Sequence, residues 1–175
     1  MIVNKIKLIK LHHILKQINK LAPRMRKLTD EELKNQTQYF RKQLKAGKTV
    51  DDILPEAYAT MREADYRILG EFPYDVQVLG AIVLNEGAIA EMKTGEGKTL
   101  TATMPLYLNA IAGKGAMLVT TSDYLAGRDE EDLAPVYQWM GLTVSTGFLK
   151  GEEKDTAAKK RERYNSDIVY TTASS

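Results

Sequence analysis

The chain has 175 residues, 43% hydrophobic and 27% charged, which is an ordinary globular composition with enough length to bury a core. It has no cysteine, which excludes disulfides, thiolate metal sites and cysteine nucleophiles, and its only histidines, His12 and His13, are neighbours, which leaves no Ser-His-Asp triad or histidine zinc site. Residues 1–28 carry eight Lys or Arg and no acid while the remainder carries 17 basic and 23 acidic residues, so the basicity belongs to one arm and gives no reason to expect nucleic acid.

The arm comes first. It places Ile2, Ile6, Ile9 and Leu11 near Ile14, Leu15, Ile18 and Leu21 with lysines between them, the spacing of an amphipathic helix. Such a helix either lies on an anionic membrane, grips a partner, or packs its apolar stripe on its own protein. Lysines interrupt it too often for a signal peptide, and no apolar run reaches the roughly 18–20 residues that span a bilayer. A cytoplasmic location, peripheral at the inner face of the membrane, is the expectation.

Pro23 is expected to end this helix. Thr29 and Glu32 have capping-box spacing and Leu28 with Leu33 can staple it, so a second helix runs to about Lys45 and stops at Gly47. A third begins near Pro55 and ends at Gly70, and a short one covers 75–85, closed by Gly87.

From Ala88 the pattern changes. Short apolar runs at 88–92, 116–121, 142–146 and 167–172 alternate with helical stretches at about 99–112, 124–140 and 152–164, with Gly113 and Gly141 at helix stops. Alternation of this kind means βαβ units and a parallel sheet. The fold class is therefore α/β, a parallel sheet with helices on both faces, preceded by an all-helical arm over 1–70. Residues 71–175 are expected to form this α/β unit, incomplete because it ends at Ser175 just after a strand in the manner of a truncation.

The decisive stretch is Met92-Lys93-Thr94-Gly95-Glu96-Gly97-Lys98-Thr99, set between a predicted strand and a predicted helix. A loop there points backbone N–H groups inward and cradles phosphate oxygens. Gly95 and Gly97 allow close approach, Lys98 reaches the β- and γ-phosphates, and the Thr99 hydroxyl ligates Mg²⁺. Met92 stands where the general pattern has Gly. Gln77 lies 21 residues before Lys98, and its carboxamide can match the N6 amine and N7 of adenine together, favouring ATP or ADP over guanine nucleotides. Taken alone it reads as a helix-surface residue. Phe72 or Tyr74 can line the base.

The run FPYDVQVLGAIVLNEGAIAEMKTGEGKTLTATMPLYLNAIAGKG, followed by DYLAGRDEEDLAPVYQWMGLTV, resembles the SecA family of bacterial preprotein translocase ATPases. The similarity extends through LTDEELKNQT, DDILPEAYATMREADYRILG and SDIVYTT. It implies two RecA-like domains with ATP between them, Gln77 as the Q-motif glutamine and Met92–Thr99 as the Walker A motif, its Met included. It further implies a SecYEG-type translocon, preprotein substrates and an anionic membrane surface as partners, and it allows a homodimer. Arg128-Asp129 falls in the motif that follows the P-loop. Ser122, where the main family has Asn, and the ending YTTASS, where it has Gly-Thr-Asn-Asn, point to an accessory SecA.

Hydrolysis needs an acid at the end of an apolar strand. The one candidate, Ser166-Asp167-Ile168-Val169, puts its acid at the strand's start and is rejected. The family's arginine finger comes from the second motor domain. The expectation is binding without turnover. A superfamily-2 RNA helicase fragment is the first rival, but TTSDYLAGRD is not the Pro-Thr-Arg-Glu-Leu type of motif. A non-catalytic nucleotide-binding module is the second. Trp139, with Leu133, Val136 and Met140, reads as a buried helix face, and Lys159–Arg163 as a solvated one.

Overall fold

The structure is a computed structural model that describes residues 2–86, 97–151 and 154–174, the side chains of Ile2 and Val3 excepted. The expected strand at 88–92 and the loop from Met92 to Glu96 lie outside the described residues. Helices α1 (Ile2–Lys27), α2 (Asp30–Lys45), α3 (Val50–Leu69) and α4 (Asp75–Asn85) come first. Then follow α5 (Lys98–Thr101), α6 (Thr103–Ile111), β1 (Ala116–Thr120), α7 (Asp123–Trp139), β2 (Val144–Thr146), α8 (Ala157–Tyr164) and β3 (Ile168–Thr172).

Three boundaries differ from expectation, each for a visible reason. Pro23 does not end the first helix but sits inside α1. A proline in a helix interior costs about 3 kcal/mol, and two features offset it. Met25 is fully buried beyond it, and the Arg67 guanidinium donates to the carbonyls of Met25, Arg26 and Leu28 at 3.2, 3.4 and 2.7 Å, capping the end of α1. The third helix begins at Val50, not near Pro55, because Thr49 and Asp52 form a reciprocal capping box. The last helix begins at Ala157, where Thr156 Oγ1 accepts from Lys159 N. The box at Thr29 and Glu32 forms as expected, and Gly70, Gly113 and Gly141 take the left-handed conformation after their helices.

The sheet is parallel in the order β1-β3-β2, with Ala116 and Val144 both level with Ile168. β3 is central and buried along its whole length. Alternation along a strand assigns its two faces. Tyr170 and Thr172 reach α7, bonding Tyr137 at 2.9 Å and Asp123 at 2.8 Å, whereas Thr171 meets Tyr164 of α8 at 3.2 Å. Helices therefore cover both faces.

One continuous core joins the helical arm to this sheet, running from Leu15, Ile18 and Met25 through Phe40 and Tyr58 to Tyr107, Tyr137 and Tyr170. The arm's stripe is divided: Leu15 and Ile18 are buried, while Ile6 and Ile9 are 62% and 69% exposed. Self-packing accounts for the C-terminal half of α1 only. Leu133, Val136 and Met140 are buried as expected, and half-buried Trp139 lies under Lys34 Nζ, 5.1 Å from the ring centroid. No residue of α8 is fully buried. Among the described residues no helix is long and apolar enough to cross a membrane.

Candidate nucleotide-binding site

Of the expected site, Gln77, Gly97, Lys98 and Thr99 are described, whereas Met92, Lys93, Thr94, Gly95 and Glu96 lie outside the described residues. The four meet. Gly97 adopts φ 69° immediately before α5, a left-handed turn that favours glycine. A Cβ built there would collide with Gln77 Nε2. The glycine is thus required twice, by its backbone angle and by the amide lying against it. Lys98 is exposed, Thr99 is half-buried, and Leu100 is buried beneath them.

Gln77 is not a surface residue. It is 4% exposed, its Oε1 accepts from Tyr74 N at 2.7 Å and its Nε2 donates to Gly97 O at 3.4 Å. One carboxamide therefore links the start of α4 to the last residue of the glycine-rich turn. Around this link opens a cleft of about 610 Å³ lined by Glu71, Phe72, Tyr74, Val76, Gln77 and Leu100. It combines a carboxamide, an exposed Tyr74 and apolar walls, the composition that suits a planar heterocycle.

A second cleft of about 480 Å³ lies beside Thr99 and Leu100, walled by Glu71, Arg128, Asp129 and Asp132. Burial raises the Asp129 carboxyl above its ordinary value, Arg128 pulls it back, and Asp132 adds to the rise. Arg128 and Asp129 form an ion pair at 3.7 Å. A hydroxyl, a nearby guanidinium and hard carboxylate oxygens fit a magnesium-bound phosphate better than a soft metal.

Asp167 takes no part here. Its Oδ2 accepts from Thr143 N and Oγ1 at 2.8 and 3.0 Å, ahead of β3. Two residues central to the site's architecture give no local sequence signal. Arg62, from the middle of α3, lies 4.2 Å from the Phe72 ring centroid and donates to Pro73 O at 2.7 Å. Asp65, one turn on, is fully buried against Thr103. Charged residues on a helix otherwise read as solvated.

All 175 residues match the family described as SecA DEAD-like domain. A curated relative named protein translocase subunit SecA 2, from Lactobacillus johnsonii, is 66% identical over 180 residues, covering 100% of this chain and 23% of its own length. Relatives of the same name from Streptococcus sanguinis and Streptococcus agalactiae are 56% and 57% identical, covering 99% and 98% of this chain and 22% of their own length. The chain thus spans under a quarter of these relatives. The accessory character expected from Ser122 and the ending YTTASS agrees with their name. This chain belongs to the SecA family and sits with its accessory SecA 2 members.

Proposed function

We propose that this chain binds ATP or ADP with Mg²⁺ as the nucleotide-binding segment of a motor that drives preprotein export across the cytoplasmic membrane, and that alone it binds without turning nucleotide over. The observation that carries the reading is the Gly97 turn locked against Gln77, with Lys98 and Thr99 directly behind it and a cleft roomy enough for a base in front. In this reading residues 92–99 hold the phosphates, Lys98 binds the β- and γ-oxygens, and Thr99 holds the magnesium that the phosphates bring. The metal supplies charge neutralisation at the phosphates. Gln77 exchanges part of its bonding to Tyr74 and Gly97 for the adenine edge, and Tyr74 covers the base. The groups act on the bound ground state. An acid to order water and an arginine from an opposing domain act on the transition state, and residues 88–175 offer no candidate for either.

Residues 1–70 serve as the arm and 71–175 as part of the first motor domain. Partners follow from the family: a SecYEG-type translocon, preproteins and an anionic membrane surface, at the cytoplasmic side, with a homodimer as a further assembly. Exposed Ile6, Leu8 and Ile9, flanked by Lys5, Lys7 and Lys10, support the membrane contact.

Calorimetry with ADP and GDP on the chain and on Gln77→Ala tests the reading. ADP binds more tightly than GDP, and Gln77→Ala narrows the gap. Phosphate release with Lys98→Ala as the contamination control stays flat for both. Equal affinity for the two nucleotides would remove Gln77 from the base site, and turnover well above the control would overturn the second half of the proposal.

A further inference from the structure

Arg62 is a cation in the wrong place for a surface helix. It is 4% exposed, and burial pulls its guanidinium below the ordinary value, with Asp75 opposing. All three of its nitrogens are engaged: Nε donates to Pro73 O at 2.7 Å, one terminal nitrogen to Asp75 Oδ1 at 3.2 Å, and the other to Asn19 Oδ1 at 2.6 Å. Its Cζ lies over the Phe72 ring, 4.2 Å from the centroid. The contacts to Phe72, Pro73 and Asp75 hold the segment that delivers Tyr74 and Gln77 to the cleft. The contact to Asn19 belongs to α1.

Asn19 closes the circuit by donating from Nδ2 to Asp75 Oδ1 at 3.4 Å. At the other end of α4, Lys10 pairs with Glu86 at 3.8 Å. The two helices therefore run antiparallel, and α1 holds α4 at both ends. A buried charge is a poor way to gain stability alone, because an apolar residue of similar volume often does as well. What a planar, five-donor group supplies instead is fixed relative geometry among the elements it bonds.

We propose that Arg62 is the positioning residue of the base cleft, and that through Asn19 it makes affinity for the adenine moiety depend on how α1 is seated on α4. This rests on the nucleotide reading above and adds the device that regulates it. Ile6, Leu8 and Ile9 lie exposed on the same helix that carries Lys10 and Asn19. Anything that covers them and shifts α1 changes nucleotide affinity, and nucleotide changes the grip on that partner by the same factor.

Arg62→Lys and Asn19→Ala in the full chain, titrated with ADP, GDP and inorganic tripolyphosphate, test the coupling. Lysine keeps the charge and can still meet Asp75, but it cannot reach Pro73, Asp75 and Asn19 together. ADP affinity falls about tenfold in Arg62→Lys and about threefold in Asn19→Ala, within the range of ordinary couplings. The ADP-to-GDP preference shrinks in both, and tripolyphosphate affinity holds, since the phosphate loop is untouched. Equal losses for ADP and tripolyphosphate, or ADP affinity unchanged in folded variants, overturn the proposal. If Arg62→Lys does not fold, Asn19→Ala decides by the same criteria. No ADP binding by the parent chain overturns the nucleotide reading itself, and the coupling with it, which separates that failure from a failed split between ligands.

Discussion

Thr103 Oγ1 lies 2.7 Å from Oδ2 of the fully buried Asp65 and 2.8 Å from the carbonyl of Leu100. The Thr103 hydroxyl donates to Asp65 and also lies within bonding reach of the Leu100 carbonyl, so its one proton is shared between two acceptors. Asp65 Oδ1 has no partner among the described residues, and burial raises this carboxyl well above its ordinary value. The Thr103 hydrogen bond opposes that rise, and the carboxyl sits between α3 and α6.

The pH dependence of folding follows from that. The unfolded chain releases this proton near the ordinary value of 3.8, whereas the folded chain retains it to higher pH. The folded state then binds more protons, so the stability from this group is full below about pH 4 and declines as pH rises, by up to about 1.4 kcal/mol per unit. Asp65→Asn, which cannot ionise, removes this slope. Urea unfolding of both proteins at pH 4, 5.5 and 7 should show the variant gaining on the parent as pH rises. Parallel profiles would mean that Asp65 ionises in the folded state.

Gly97→Ala separates the site from the fold. The substitution forces a side chain into a left-handed turn, at about 1–2 kcal/mol, and drives it into the Gln77 amide. That strain should lower the thermal midpoint by about 2–4 °C per kcal/mol, with cooperative unfolding retained. ADP affinity should fall at least about tenfold, equivalent to about 1.4 kcal/mol. Calorimetric affinity equal to the parent's would show that the turn relaxes without consequence for nucleotide.

Two glycines near β2 should respond with opposite sign. A Cβ at Gly147 would stand 2.6 Å from the Tyr164 hydroxyl and closer still to Thr171, both fixed against buried β3. Gly147→Ala should cost about 1–3 kcal/mol by overpacking. Gly127 sits inside α7, and its added Cβ would touch Lys150 Cε at 3.5 Å and Phe148 at 3.8 Å, ordinary contacts. Gly127→Ala should stabilise by about 0.5–1 kcal/mol through helix propensity. Denaturant midpoints moving in the same direction for both would refute the packing argument.

The arm's exposed half should bind anionic vesicles. Deleting the whole arm would remove Leu15, Ile18 and Met25 from the core, so a version beginning at Leu11 isolates the effect. Binding of the full chain should fade with salt, with about 1 kcal/mol from each basic residue near the surface, and the shortened version should co-sediment less. Equal co-sedimentation of the two would leave Ile6, Leu8 and Ile9 to a protein partner.

The sequence by itself determined the local features, because these depend on residues close together in the chain. Thr29 with Glu32 sets a capping box, Gly70 a helix stop, the apolar runs from 116 onward the strands, and Gly97-Lys98-Thr99 the turn that opens α5. It also carried the family, since the spacing from Gln77 to Thr99 and on to Arg128 is a linear pattern. Tertiary structure decided everything that needs a distant partner. Pro23 stays helical because Arg67, 44 residues on, caps the carbonyls beyond it. Gln77 leaves the surface because Gly97 folds back onto it. Arg62 and Asp65 look like solvated helix charges until α1, α4 and α6 close around α3, and no local pattern encodes a burial that several helices make together.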